Sequence, residues 1–187
     1  MPPKFKFTKE QIIEKALDLV REKGMDSLSA RTLAVAIESS PQPIFSYFEN
    51  MDEVKNAVIK AVDSLYKGYI ENEIKKGKFP IYKSIGMAYI RFAKQQKKLF
   101  ELLFMCERND EASKKGEEEL TDIIEIIMKS TGLSRESAKL FHLETWTFVH
   151  GIAAMTVTGF LNLEEELISD MLTDIFEGLK YRFEKRI

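Results

Sequence analysis

The chain has 187 residues, 44% of them hydrophobic, which is length and apolar material enough for a packed core and too apolar for a disordered chain. Nine Gly and five Pro supply few of the tight turns an all-β fold needs, and a single cysteine, Cys106, excludes an intramolecular disulfide framework and points to the cytoplasm. The net charge is −2, and residues 1–60 carry nine basic and nine acidic side chains, so no strongly basic segment marks a polyanionic partner, although a local basic surface would suffice for one.

Lys4 and Lys6 lead straight into an amphipathic segment, without the apolar run or cleavage site of a secretion signal. Thr8 and Gln11 have capping-box spacing, and Ile12, Ile13, Ala16, Leu17 and Val20 form one stripe, predicting a helix to Lys23 that Gly24 stops. After a linker, Met25 to Leu28, Ser29 caps a brief helix through Leu33, Ala34 and Ile37. Ser39-Ser40-Pro41 reads as a turn, a cap and a proline at the first helical position, opening a short aromatic helix from Gln42 to Phe48. Asn50, with Glu53 three residues on, caps a long helix to about Lys76.

Pro80 opens a fifth helix, Ile81 to Gln95, and Lys98 to Met105 make a short apolar sixth. The polar stretch Glu107 to Glu119 reads as a loop plus the exposed start of a helix ending at Thr131-Gly132. Ser134 caps a charge-poor helix running to Leu163, and Glu164-Glu165-Glu166 begin the last, where negative charge suits the helix dipole. No Asp, Glu, Lys or Arg occurs from Thr145 to Leu163, the minimum span of a membrane helix. Its threonines, His150, Gly151, Gly159 and Asn162 suit burial in protein better than lipid, so no membrane partner is expected. The expectation is an all-α fold of about nine helices: a three-helix head over residues 1–50 and a helical body over 51–187.

Two short helices joined by a tight turn, behind a first packing helix, have the outline of a helix-turn-helix. Ile44, Phe45 and Phe48 are expected to face inward, leaving Gln42, Pro43, Ser46 and Tyr47 toward the groove. Gln pairs bidentately with adenine, while Ser and Tyr suit base edges or phosphate. Lys4, Lys6, Thr8, Ser29, Arg31 and Ser40 complete the candidate DNA-contacting set. The same residues carry a family resemblance. Ile12, Ala16, Leu17, Gly24, Ser29, Arg31, Leu33 and Ala34, the run Ser40-Pro41-Gln42-Pro43-Ile44-Phe45-Ser46-Tyr47-Phe48, and Asp52-Glu53-Val54 resemble the N-terminal domain of the TetR/AcrR repressors over residues 8–58.

That resemblance implies a homodimer on a palindromic DNA operator, released by a small molecule bound in the body. Three positions depart from the family pattern: Glu38 stands for a turn glycine, Phe45 for a tyrosine and Met51 for a lysine. The last two remove a phosphate-contacting hydroxyl and a cation. In the body, Trp146 and His150-Gly151, with Lys98-Leu-Phe-Glu-Leu-Leu-Phe upstream, resemble the Trp-His-Gly subfamily of these regulators.

Trp146, His150 and Ala153 share one helical face. With Tyr89, Phe92 and Leu103 they are the candidates for an apolar effector pocket; as packing residues, the same side chains would simply fill a core. The broad apolar faces of the last two helices predict a four-helix dimer interface with Met171, Ile175 and Leu179 in it. His142 and His150 have no second His or carboxylate four residues away, and no phosphate loop or nucleophile signature is present. No metal, cofactor or catalytic residue is therefore expected. The rival to an operator-binding regulator is a ligand- or partner-binding protein of the same fold that has lost DNA, with a helical enzyme third.

Overall fold

The computed structural model describes residues 7–106 and 110–185, the side chains of 110–119 excepted. They form α1 (Lys9–Lys23), a 3-10 turn (Met25–Ser27), α2 (Ala30–Ala36), α3 (Gln42–Phe45), α4 (Met51–Lys75), α5 (Ile81–Gln95), α6 (Lys97–Phe104), α7 (Asp110–Thr131), α8 (Arg135–Val157) and α9 (Glu165–Glu184). No strand occurs among the described residues. The chain divides into two compact units, one of residues 1–67 with 96–106 and one of residues 68–95 with 107–187.

The first unit is assembled from capped, amphipathic pieces. Thr8 accepts from the Gln11 amide at 3.2 Å while the Gln11 side chain accepts from the Thr8 amide at 2.9 Å, so the capping box closes in both directions. Ser29 caps α2 in the same way through Thr32. Ile12, Ala16 and Val20 are buried along α1, as are Leu33, Ala34 and Ile37 at α2, Ile44 and Phe48 at α3, and Val54 and Val58 on α4. α6 belongs to this unit, not to the body in which the sequence placed it: it packs on α1 with Leu99 and Phe100 fully buried. An apolar face says that a helix is buried, but not against what.

α2 ends in a Schellman motif. The Ser39 amide donates to Ala34 O at 2.9 Å and the Glu38 amide to Val35 O at 3.0 Å. That geometry requires a left-handed residue between them, and Glu38 supplies it at φ 50°. α3 is shorter than its aromatic pattern predicts, with Pro41 at the cap rather than at the first helical position.

In the second unit α5 and α8 run parallel, because Tyr82 meets His142 and Tyr89, two turns on, meets His150. α9 runs antiparallel to α5, with Lys83 bonded to Thr173 and Arg91 to Glu165. α7 and α8 form a hairpin around Gly132 (φ 74°) and the Ser134 cap. Its core holds Ile124, Ile127, Leu133, Ala138 and Phe141 with Leu179 and Phe183 of α9. Phe141 lies edge-on to Phe176 at 5.2 Å and to Phe183 at 5.8 Å, and burying such a ring contributes roughly 1.5–3 kcal/mol.

Gly86 lets α9 approach: a Cβ there would come within 3.3 Å of Leu172 Cδ1. α7 is helical from Asp110, inside the stretch that the sequence suggested to be a loop plus the exposed start of a helix. α8 stops at Val157, short of Leu163, where Thr158 and left-handed Gly159 (φ 76°) turn the chain. Among the described residues no helix is long and apolar enough to cross a membrane.

Candidate nucleic-acid interface and body site

α3 is held from below by Ile44 and Phe48, at 0% and 2% exposure. The side chains of Gln42, Phe45 and Ser46 face out, at the i, i+3, i+4 spacing that defines one helical face. Phe45 is 45% exposed, so the inward position expected for it is corrected: its apolarity suggested burial, but Ile44 and Phe48 already occupy the buried face. Pro43 and Tyr47 are half-buried. Tyr47 donates its hydroxyl to the Phe7 carbonyl at 2.9 Å, which fixes the ring against the segment preceding α1. Ser46 donates to Gln42 O at 3.0 Å.

Arg31 and Ser40 are exposed. Thr8 and Ser29 are exposed too, with their side chains engaged in the caps of α1 and α2. Lys4 and Lys6 lie outside the described residues. Sequence reasoning missed Phe45 and Val35, the latter 72% exposed on α2. The signal for Phe45 was available in its spacing from Gln42, which outranks residue type in deciding which way a helical side chain points.

In the second unit the structure brings together three of the five expected body residues. The Tyr89 hydroxyl lies 2.8 Å from His150 Nδ1, and Trp146 stacks on the same imidazole at 5.0 Å and 20°. Trp146 is 37% exposed. Phe92 is fully buried, edge-on to Tyr69 at 5.2 Å, and Leu103 falls in the other unit on α6.

A second pair escaped the sequence reading: Tyr82 and His142, 3.0 Å apart. Burial pushes the Tyr82 phenol above the usual tyrosine range and the His142 imidazole below the usual histidine range, so the contact joins two neutral groups. Burial likewise lowers His150. The signal was that Tyr82 and Tyr89 lie seven apart while His142 and His150 lie eight apart, both close to two helical turns.

A cavity of about 250 Å³ opens between α5 and the start of α9. Met87, Ile90, Leu163 and Ile168 make its apolar part, with Arg91, Lys94, Glu164 and Glu165 at the polar side. None of the five expected ligand residues lines it. Arg91 bridges buried Glu73 and Glu165, the latter at 2.7 Å, and this hydrogen bond holds the Glu165 carboxyl below the usual range. No cluster of three or more His, Cys, Asp or Glu among the described residues could hold a metal ion.

Comparison with known proteins gives a family for this geometry. Residues 82–177 match the family described as "Tetracyclin repressor-like, C-terminal domain". That description does not name the Trp-His-Gly subfamily. An HTH-type transcriptional regulator of Mycobacterium tuberculosis is 22% identical over 185 residues, covering 95% of this chain and 84% of the relative. A Rhodococcus sp. RHA1 protein of unknown function shares the fold at TM-score 0.75 and 16% identity, covering 96% of this chain and all of the other. The multidrug binding protein EbrR, solved with imidazole, superposes at TM-score 0.61 and 16% identity, covering 89% and 88%.

Proposed function

Because the chain belongs to the tetracycline-repressor-like (TetR) family of DNA-binding transcriptional regulators, we propose that it acts as a cytoplasmic homodimeric repressor. Its target is a palindromic double-stranded operator, and a small molecule held in the body changes its affinity for DNA. The observation that carries the DNA reading is the exposed row Gln42, Phe45 and Ser46 standing on buried Ile44 and Phe48. A helix seated rigidly from below with its outer side chains free is what groove reading needs. Gln42, Pro43 and Ser46 reach base edges; Lys4, Lys6, Thr8, Ser29, Arg31 and Ser40 steady the head on phosphate and sugar, and Tyr47 supports them through the segment before α1 that its hydroxyl holds.

The dimer reading is supported by α8, which keeps Leu140, Leu143 and Met155 at 41%, 56% and 44% exposure. The ligand reading is supported by the body cavity and by the fold shared with a multidrug binding protein. The stacked trio Tyr89, His150 and Trp146 is a second candidate contact for an effector, with Phe92 of the same unit, and the Trp-His-Gly likeness belongs to the same reading.

Selection of binding sequences from a random DNA pool tests the central point. A palindromic site should emerge. Gln42→Ala should then weaken the selected site by about 1–3 kcal/mol while sparing unrelated DNA, and Tyr47→Ala should weaken all sequences alike. A pool that never enriches would sink the reading.

A further inference from the structure

The cavity beside α9 is built around one cation that cannot leave. One guanidinium nitrogen of Arg91 donates to Glu73, a carboxylate only 1% exposed near the end of α4, and another reaches Glu165 at 2.7 Å. Among the described residues Glu73 Oε1 is buried with no hydrogen-bond partner, while Arg91 and Lys76 both pair with Oε2. Removing Arg91 would strand a buried charge. Its other carboxylate partner is different in kind, since the Glu165 side chain is 48% exposed and can turn into water. Exposed pairs of this type hold their partner by a factor of at most about five.

We infer that this cavity binds a small monocarboxylate with a short apolar tail, whose carboxylate takes the place of Glu165 on Arg91. Glu165 already shows that a carboxylate fits there. The tail lies along half-buried Leu163, with Met87, Ile90 and Ile168 forming the apolar floor beneath. Lys94 donates to Leu163 O at 3.2 Å and has two further N–H groups for the second carboxylate oxygen. The first turn of α9 adds the positive end of a helix dipole, and its cap residue Glu164 makes no side-chain capping bond. A cationic head would find Glu164 and Glu165 but would have to sit against Arg91 and Lys94, and Arg91 is fixed by Glu73. The volume, about 250 Å³, is below the roughly 300–1,000 Å³ of sites for drug-sized ligands, so the tail is a few carbons long.

Binding at this site is independent of DNA; only its regulatory meaning rests on the effector reading. Calorimetric titration of the full chain with hexanoate, hexanamide and hexylamine tests it. Hexanoate alone should bind, saturably and once per chain. Glu165→Gln, which removes the internal competitor, should tighten hexanoate by up to about fivefold, and Lys94→Gln should weaken it. Both residues are exposed, so neither variant threatens folding as Arg91→Gln would. Absence of hexanoate binding, equal binding of the amide or amine, or weaker binding by Glu165→Gln would overturn the assignment. If hexanoate binds as stated but leaves DNA affinity unchanged, the site stands and the effector reading falls.

Discussion

Glu38 holds the turn of the helix-turn-helix in a conformation its side chain disfavours. At φ 50° it is the one non-glycine residue with a positive φ among those described, and an L-residue in the left-handed region is disfavoured by roughly 1–2 kcal/mol. Glu38→Gly should therefore raise stability by about 1 kcal/mol, read as a higher urea midpoint at unchanged slope. A lower midpoint would mean the Glu38 side chain makes a contact worth more than the strain. This position was legible in the sequence because the family pattern puts glycine there, and so were the caps at Thr8, Ser29 and Ser134, whose partners sit three residues away. Phe45 was misjudged because its chemistry was weighed above its phase on the helix. The bond from Tyr47 to the Phe7 carbonyl, 40 residues back, had no local signature at all.

The pairing of α5 with α8 turns on two phenol–imidazole contacts that hydrophobic periodicity could not reveal, since it reports burial and not partners. Burial lowers His142, so the folded protein keeps it neutral while the unfolded chain takes up a proton near the ordinary histidine value of about 6.5. Between that value and the lower folded one the unfolded state binds more protons, and stability falls as the pH drops through the window. His150 adds in the same direction. His142→Asn, which keeps a polar group near the Nδ1 position that meets Tyr82 without a titrating ring, should lessen the loss of stability between pH 7.5 and 5.5 in urea melts. An identical pH slope in variant and parent would refute this account. Helix boundaries were readable where a cap or glycine marks them, as at Gly24 and Ser134. They failed at the end of α8, where Gly159 was passed over because the surrounding residues carry no charge.

Assembly of the molecule was readable in outline and not in its surfaces. The broad apolar faces of α8 and α9 are real, yet the expected interface residue Leu179 is 8% exposed and Ile175 packs on the same core, so Leu179 serves the chain's own interior. The outward apolar side chains include Leu140, Leu143, Trp146 and Met155 on α8, with Leu167 and Tyr181 on α9. Leu143→Glu should convert the proposed dimer to monomer in sedimentation at micromolar concentration while leaving the far-UV helical signal intact. A variant that sediments like the parent would move the interface elsewhere. The division into head and body at residue 50 was too simple for the same reason, because α6 packs against α1 from 74 residues away in sequence at its nearest. Inside the body, the two tyrosine–histidine contacts lie two turns apart along parallel helices. Small sliding of α8 along α5 would strain both at once, and a shift of one full turn, about 5.4 Å, would break both and restore neither. The two contacts thus act as a key that fits one register of α8 on α5 and no neighbouring one.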